Sequence, residues 1–214
     1  KVAILLLGDE IQREGLPKDG LVRDSLGPQL PGWLSRLGVE VADIKYVPDQ
    51  LDLTIAAIDQ ASKIADIVVT TGGTADGPRD FLQDAVLKLN GTIHINKVAM
   101  RPGHPQIFAE VNGRALLGLP GNPQSAVVAL LTLGQPLIDA MFGRKLSELL
   151  LISSDDQFDT QPGFTRLVLG NLQGRRFTMG KYLGSAMLRS LAQSEGFAVC
   201  TNPPTPLRWL GLPS

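Results

Sequence analysis

The sequence predicts an α/β protein, with a doubly wound, mostly parallel sheet followed by a small all-β domain. Three apolar runs, at 2–7, 39–47 and 66–70, are short and rich in Val, Ile and Leu. Continuous runs of this kind are typical of strands that are buried on both faces of a parallel sheet. Between them, 24–37 and 51–65 are predicted to be helices. The second has the apolar spacing of a helix, whereas Pro28 and Pro31 must lie in the opening turn of the first or kink it. Strands that alternate with helices through right-handed crossovers produce a doubly wound sheet.

The rest of the first domain continues this alternation. We predict a helix at 78–89 with Pro78 in its first turn, where the missing N–H of proline is tolerated. A hairpin at 105–118 is predicted to turn at Asn112-Gly113, a pair that favours tight β-turns. A long apolar helix then runs from Pro123 to about Met141.

A smaller β domain is predicted at 147–214, after the α/β domain at 1–146. Composition changes after Gly143, and short β-like runs then alternate with turns rich in Gly, Asn and Pro. Such a pattern suggests a small β-barrel or sandwich. The β-like runs lie at 149–153, 164–169, 196–200 and 207–212.

Charge and composition exclude several classes of function. The net charge of −1 offers no basic surface for nucleic acid or an anionic membrane, and no apolar stretch is long enough to span a bilayer. The single cysteine, Cys200, excludes an internal disulfide and favours a reducing cytoplasm. It lies in an apolar run and is predicted to be a buried core residue. Because Lys1 is followed at once by a core strand, we expect the chain to be part of a longer protein.

Three unusual loops fall at predicted strand ends, where ligands bind in open α/β sheets. In the first, Gly8-Asp9-Glu10, two adjacent carboxylates are suited to a metal or to orienting a ligand. Taken alone, this loop is better explained by a solvated turn with a helix-capping Asp. In the second, Gly72 and Gly73 let the backbone approach a phosphate, and Thr74 adds a hydroxyl. Asp76 and Asp80 beside an anion predict a bridging divalent cation such as Mg²⁺.

The third loop precedes the long helix. Two prolines stiffen it, a glycine lets it turn, and an amide and a hydroxyl stand at the helix start; these residues are Pro120, Gly121, Asn122, Pro123 and Ser125. Proline at a helix start is also ordinary local structure. Between the second and third loops, Lys97, Arg101 and His104 flank a Pro-Gly turn and offer positive charge to an anionic ligand.

In this order, the segments resemble the molybdopterin molybdenumtransferase family, which includes the gephyrin E-domain. The resemblance rests on "AILLLGDE", the Gly-Gly loop, "RPGHP" and especially "GLPGNPQSA" at 118–126. It implies a transferase that binds adenylylated molybdopterin, inserts molybdenum from molybdate with Mg²⁺ and releases AMP. It also implies two further N-terminal domains, a homodimer, and the adenylyltransferase of the same pathway as a partner.

The resemblance implies roles for individual residues. Catalysis and metal binding are implied for Glu10, Asp49 and Asp80, and handling of molybdate or phosphate for Lys97 and Arg101. The remaining matches imply contacts to the pterin substrate by Asp24, Ser25, Gly72, Gly73, Thr74, Pro120, Gly121, Asn122, Pro123, Ser125, Arg166 and Ser185.

The chain departs from the family's pattern at several of these segments. Leu26 stands where the family often has Asn, the Gly-Gly loop lacks the usual Ser and gains Asp76, and His104 replaces a usual lysine. Two alternatives therefore stay open. One is an enzyme of the same fold with other chemistry, such as pterin adenylylation or nucleotide pyrophosphate cleavage. The other is a non-catalytic binding or scaffold module.

Overall fold

The computed structural model describes residues 1–75, 77–181, 184, 188–202 and 204–213. The chain packs as two compact units. The first comprises Lys1–Lys97 and Pro105–Gly121, and the second comprises Val98–His104 and Asn122–Ser214. The predicted domain division after residue 146 stays a prediction, because compact packing units and inherited domains divide a chain by different criteria.

The strands are short and are numbered in chain order. They are β1 (Val2–Leu7), β2 (Ile11–Gln12), β3 (Val22–Arg23), β4 (Val41–Val47), β5 (Ile67–Thr71), β6 (Thr92–Asn96), β7 (Met100–Arg101), β8 (Ile107–Val111), β9 (Arg114–Leu119), β10 (Leu150–Leu151), β11 (Thr165–Gln173), β12 (Arg176–Met179), β13 (Gly196–Cys200) and β14 (Arg208–Gly211).

The helices are numbered in the same way. They are α1 (Leu30–Arg36), α2 (Leu51–Ile64), α3 (Leu82–Lys88), α4 (Pro123–Ala129), α5 (Gln135–Met141) and α6 (Leu188–Ala192). A π-helical turn at Leu130–Gly134 joins α4 to α5, so the helix predicted from Pro123 to Met141 is present with a π-bulge inside it. No helix in the described ranges is both long and apolar enough to cross a membrane.

The first unit is built on a six-stranded sheet in the order β4-β1-β5-β9-β8-β6. Strands β4, β1, β5 and β9 are mutually parallel, β8 is antiparallel to β9, and β6 is antiparallel to β8. All six residues of β1 are buried, as expected for a strand covered on both faces. The predicted mostly parallel α/β fold is confirmed, and five strands end at the same edge of the sheet.

One helix and one hairpin lie where short sequence patterns predicted them. Helix α2 lies within the predicted 51–65. The hairpin of β8 and β9 turns at Asn112 and Gly113, whose φ angles of 53° and 69° are those of a type I′ turn.

Two helix starts were predicted too early. Helix α1 begins at Leu30 rather than at residue 24, because the Asp24 carboxylate accepts the N–H groups of Leu26 (3.1 Å) and Gly27 (2.9 Å) and holds a turn there. Helix α3 begins at Leu82, so Pro78 is not in its first turn. The backbone N–H of Asp80 instead donates to Gly77 O at 3.0 Å, which closes a turn before the helix.

The second unit contains the long helix and an antiparallel sheet in the order β10-β14-β13-β11-β12. Strand β7 pairs in parallel with β11. The cluster of Val168, Phe177, Ala198 and Cys200 forms an apolar core for this sheet. The predicted β region is therefore present, but β12 and α6 were not predicted. Cys200 is 3% exposed, as predicted.

Candidate functional site

The candidate residues of the first unit gather at one edge of its sheet. Asp49 follows β4, Gly8 to Glu10 follow β1, Gly72 and Gly73 follow β5, and Pro120 follows β9. These four strands are parallel neighbours, so the loops that leave them lie side by side. This edge is the position at which open α/β sheets bind ligands.

Hydrogen bonds between Asp9 and Asp49 join the loop after β1 to the loop after β4. The Asp9 N–H donates to Asp49 Oδ2 at 3.3 Å, and the Asp49 N–H donates to Asp9 Oδ1 at 3.2 Å. Gly8 also donates to Val47 O at 3.2 Å. Gly8 has a φ of +142°, and a Cβ there would lie 2.9 Å from both carboxylate oxygens of Glu10. The pairing of Asp9 with Asp49 was not predicted, because the two residues are 40 positions apart in the sequence.

The carboxyl of Asp49 lies in an acidic environment. Its pKa is raised, first by burial and then by the nearby Glu10 and Asp9 carboxylates, while the Asp9 amide and the Arg79 guanidinium lower it. Asp49 and Glu10, both predicted site residues, are thus close enough to interact. Arg79 is a positive charge at this edge that the sequence predictions missed.

At Gly72 the Gly-Gly loop is packed too closely for a side chain. Gly72 and Gly73 have φ angles of +80° and +66°, and a Cβ on Gly72 would lie 2.7 Å from Leu7 O. The Gly72 N–H donates to Leu119 O at 2.9 Å, and a Cβ on Gly121 would lie 3.8 Å from Gly72 Cα. The glycines therefore let the loop lie against the ends of β1 and β9.

Thr74 and Asp80 follow the two glycines. Thr74 is 2% exposed, and a Cβ on Gly118 would lie 3.0 Å from its methyl group, so Thr74 packs in the core. Asp80 Oδ2 accepts the Gly77 N–H at 2.6 Å. Helix α3 has Phe81 at its N-cap and no side-chain cap, so Asp80 closes the loop rather than caps the helix.

The carboxylates do not form a metal cage of their own. In the described ranges, which omit Asp76, no group of three or more His, Cys, Asp or Glu side chains could hold a metal ion. Mg²⁺ is often held by one or two carboxylates together with phosphate oxygens and water. The carboxylates of Glu10 and Asp49, which are close enough to interact, fit only that arrangement.

Asp24 and Ser25 have local roles in the turn before α1. Both carboxylate oxygens of Asp24 accept hydrogen bonds, Oδ1 from Leu26 and Gly27 and Oδ2 from the Tyr46 hydroxyl at 2.6 Å. Ser25 O accepts from Gln29 Nε2 at 2.6 Å. The contacts to a pterin implied for Asp24 and Ser25 stay a prediction.

Lys97 follows β6, which runs in the same direction as β9, so it leaves the same edge of the sheet. It is half-buried and has a φ of 67°, uncommon for a residue with a side chain. Its N–H donates to Gln106 O at 2.9 Å. The turn at Lys97 thus directs the chain out of the sheet.

In the second unit, two predicted residues are brought together by strand pairing. Arg101 on β7 and Arg166 on β11 are register partners. The Arg101 guanidinium carbon lies 5.3 Å from the centroid of the Phe164 ring, a cation–π arrangement. Both arginines line a pocket of about 40 Å³. A pair of guanidinium groups in a pocket is suited to an oxyanion.

A backbone hydrogen bond closes the first turn of α4. Asn122 O accepts the Ala126 N–H at 2.9 Å. Asn122 is exposed, whereas Pro123 and Ser125 are buried. Ser185, the other predicted residue of this unit, lies outside the described residues.

A family model for a probable molybdopterin binding domain matches residues 3–140. The chain belongs to this family. The predicted family resemblance is therefore confirmed, and the matched range contains all three loops at the edge of the sheet.

Relatives of this molybdopterin-binding domain are named as transferases. The chain is 32% identical to the molybdopterin molybdenumtransferase of Staphylococcus aureus (strain COL) over 170 residues, 78% of this chain and 41% of that protein. It is 34% identical to the enzyme of the same name from Haemophilus influenzae over 202 residues, 92% of this chain and 47% of that protein. The chain spans about half the length of the curated relatives it matches.

The fold is also that of solved structures. Two structures of the molybdopterin biosynthesis MoeA protein from Pyrococcus horikoshii align with TM-scores of 0.76 and 0.74, at 24% and 18% identity. Each covers 98% of this chain, which in turn spans 51% of that protein. At this level of identity the likeness shows the fold of the molybdopterin-binding domain.

Proposed function

We propose that this molybdopterin-binding domain carries the substrate site of a molybdopterin molybdenumtransferase. In the proposed reaction, adenylylated molybdopterin and molybdate are converted to molybdenum cofactor and AMP. The single observation that carries this proposal is the meeting of four parallel strand ends, with their Gly-Gly loop and their carboxylates, at one edge of the sheet. The names of the relatives in Staphylococcus aureus and Haemophilus influenzae support the same reaction.

The glycine loops are suited to the phosphate end of the ligand. Gly121 carries no side chain and has only Gly72 Cα within 4 Å of the position of a Cβ, so a phosphate can approach its backbone closely. Asn122 is exposed at the start of α4, where its amide can bind a ligand. Arg101 and Arg166 provide a second, cationic pocket for an oxyanion.

The carboxylates are assigned to metal binding and catalysis. Glu10 and Asp49 interact with each other and would hold Mg²⁺ jointly with phosphate oxygens of the ligand. Bound there, the ion would neutralise phosphate charge during release of AMP. Asp80 would position the reacting group, since one of its oxygens is already fixed by Gly77. Lys97 would contribute positive charge near the same edge.

The assembly is part of the proposal. A homodimer of the whole gene product would complete the substrate site, and the adenylyltransferase of the same pathway would supply the adenylylated molybdopterin.

Asp80→Asn tests this function. The change keeps an oxygen that can accept the Gly77 N–H but removes the charge, so folding should be kept while turnover is lost. We expect the full-length gene to restore molybdoenzyme activity in a strain that lacks the transferase. The Asp80→Asn gene should fail although its product melts at the same temperature. The control is Glu148→Gln, which removes an exposed carboxylate and should complement fully.

Two outcomes would contradict the proposal. If the unchanged gene does not complement, the domain is a binding or scaffold module. If the purified product forms an AMP adduct from Mg-ATP and molybdopterin, the chain is an adenylyltransferase of the same fold.

A further inference from the structure

Lys97 is held in a backbone conformation that lysine seldom adopts. Its φ of 67° lies in the left-handed region, which is uncommon for a residue with a side chain. It follows the last residue of β6, which is the outermost strand of its sheet and pairs with β8. The register of β6 against β8 shifts between Ile93 and Ile95, which interrupts the regular ladder. A strained residue at the end of such a strand keeps its conformation only where neighbouring groups hold it.

Two hydrogen bonds hold the chain at this turn. The Lys97 N–H donates to Gln106 O at 2.9 Å, and Gln106 is 0% exposed. This bond joins Lys97 to the residue that precedes β8. The other bond is made by side chains, because Asn96 Nδ2 donates to Gln83 Oε1 at 2.9 Å. It joins the last residue of β6 to helix α3, and so anchors the end of the edge strand to an element outside the sheet.

The helix that accepts the second bond starts beside the Gly-Gly loop. Gln83 is the second residue of α3. The residue before it, Leu82, is fully buried, and a Cβ on Gly73 would lie 3.6 Å from Leu82 Cβ. The first turn of α3 therefore packs against the loop, and Asp80 stands two residues before the helix. The hydrogen bond to Gln83 thus connects the chain next to Lys97 with the segment that carries Asp80.

We propose that Gln83 and Asn96 are positioning residues: their hydrogen bond fixes the direction in which Lys97 leaves the sheet, and so places its positive charge relative to the Gly-Gly loop and Asp80. The inference rests on the proposed function, in which Lys97 contributes positive charge to an anionic ligand. Electrostatic attraction falls with distance, and a small misplacement of a binding group lowers the rate strongly. An exposed hydrogen bond between two neutral side chains adds only modestly to stability. Its loss should therefore be seen in the placement of Lys97 more than in the melting temperature.

Two substitutions of Gln83 separate the hydrogen bond from the size of the side chain. Gln83→Met keeps the length but removes the oxygen, whereas Gln83→Glu keeps an oxygen that can accept the Asn96 N–H. We measure AMP release by the full-length gene product from adenylylated molybdopterin with Mg²⁺ and molybdate. The value of kcat/KM should fall on the order of tenfold or more in Gln83→Met and change little in Gln83→Glu. Amide hydrogen exchange at the Lys97 N–H, followed by NMR, should become faster in Gln83→Met alone, while the melting temperatures stay close together.

Gln60→Met is the matched control, because it removes a comparable exposed bond, donated by Lys45 Nζ at 3.0 Å, and should leave kcat/KM unchanged. A double-mutant cycle shows whether Gln83 acts through Lys97: in the Lys97→Ala background, Gln83→Met should cause little further loss.

The outcomes separate this inference from the proposed function. An undiminished loss in the Lys97→Ala background would overturn the positioning role alone, as would full activity or unchanged exchange in Gln83→Met when the unchanged enzyme releases AMP. If the unchanged enzyme releases no AMP, the proposed function fails and the positioning role falls with it.

Discussion

The hydroxyl of Tyr46 donates a 2.6 Å hydrogen bond to Asp24 Oδ2, which ties the end of strand β4 to the turn that precedes helix α1. The Arg13 guanidinium carbon lies 4.5 Å from the centroid of the same tyrosine ring. The pKa of Tyr46 is raised, first by burial and then by its hydrogen bond to Asp24 and the negative charge of that carboxylate. Asp24 therefore acts as a structural anchor beside the candidate site, whatever else it binds.

Tyr46→Phe removes only the hydroxyl. Because a hydrogen bond to a charged acceptor is lost, we expect the free energy of unfolding to fall by about 1–2 kcal/mol. Asp24→Ala should cost more, since Leu26 and Gly27 also lose their acceptor. Urea denaturation measures both. In the Asp24→Ala background, Tyr46→Phe should cost little further; an undiminished cost there would show that the hydroxyl stabilises the fold through another group.

Gly72→Ala tests the close packing of the Gly-Gly loop. A methyl group would be placed 2.7 Å from Leu7 O on a backbone with φ of +80°. The left-handed conformation costs about 1–2 kcal/mol, and overpacking adds roughly 1–3 kcal/mol. Gly113→Ala is the matched control, because its φ is +69° with open space around the added carbon. Thermal unfolding should therefore show a larger loss for Gly72→Ala, and equal losses would mean that the loop yields without cost.

Asp49→Asn is expected to stabilise the fold near neutral pH. The native pKa of Asp49 is raised above its ordinary 3.8, so the stability that it contributes is complete below 3.8 and is lost as pH rises through the native pKa. Asparagine has no charge to oppose Glu10 and keeps an oxygen for the Asp9 N–H. The gain in melting temperature should thus be present at pH 7 and shrink as pH falls toward 4. Asp19→Asn, an exposed loop change, should show no such gain, and a pH-independent gain in Asp49→Asn would refute the assignment.

Cys200 should be inert in the folded protein. Burial raises its pKa to about 11, and its 3% exposure excludes reagents, whereas the thiolate is the reactive form. Titration with a disulfide reagent at pH 8 should detect almost no thiol in the native state and one thiol per chain in guanidinium chloride. Rapid labelling of the native protein, faster than its unfolding, would contradict this expectation.

Much of the fold could be predicted because its signals are local. The uninterrupted apolar run of β1 required burial on both faces, and Asn112-Gly113 favours one kind of turn through backbone angles that few other residues adopt. The β-like run predicted at 196–200 coincides with strand β13. The candidate loops were found for the same reason, since glycines, prolines and carboxylates at strand ends are visible in a short window.

The errors arose where a distant or loop-specific contact decides a local boundary. The early start predicted for α1 ignored Tyr46, which lies 22 residues from Asp24. The early start predicted for α3 rested on Pro78, since proline is compatible with the first turn of a helix. The hydrogen bond between Asp80 and Gly77 instead forms a turn there, and the helix begins only after it.

By itself, the sequence determined the α/β class, the family, the three loops at strand ends and the buried cysteine. The family follows from the resemblance of the motifs, and the other features follow from patterns of burial and backbone preference within a few neighbouring residues. Only the tertiary structure decided which loops meet. The bond between Asp9 and Asp49 spans 40 residues, and the pairing of Arg101 with Arg166 depends on the register of β7 against β11. Register is set by packing over the whole sheet, so no local pattern in the sequence records it.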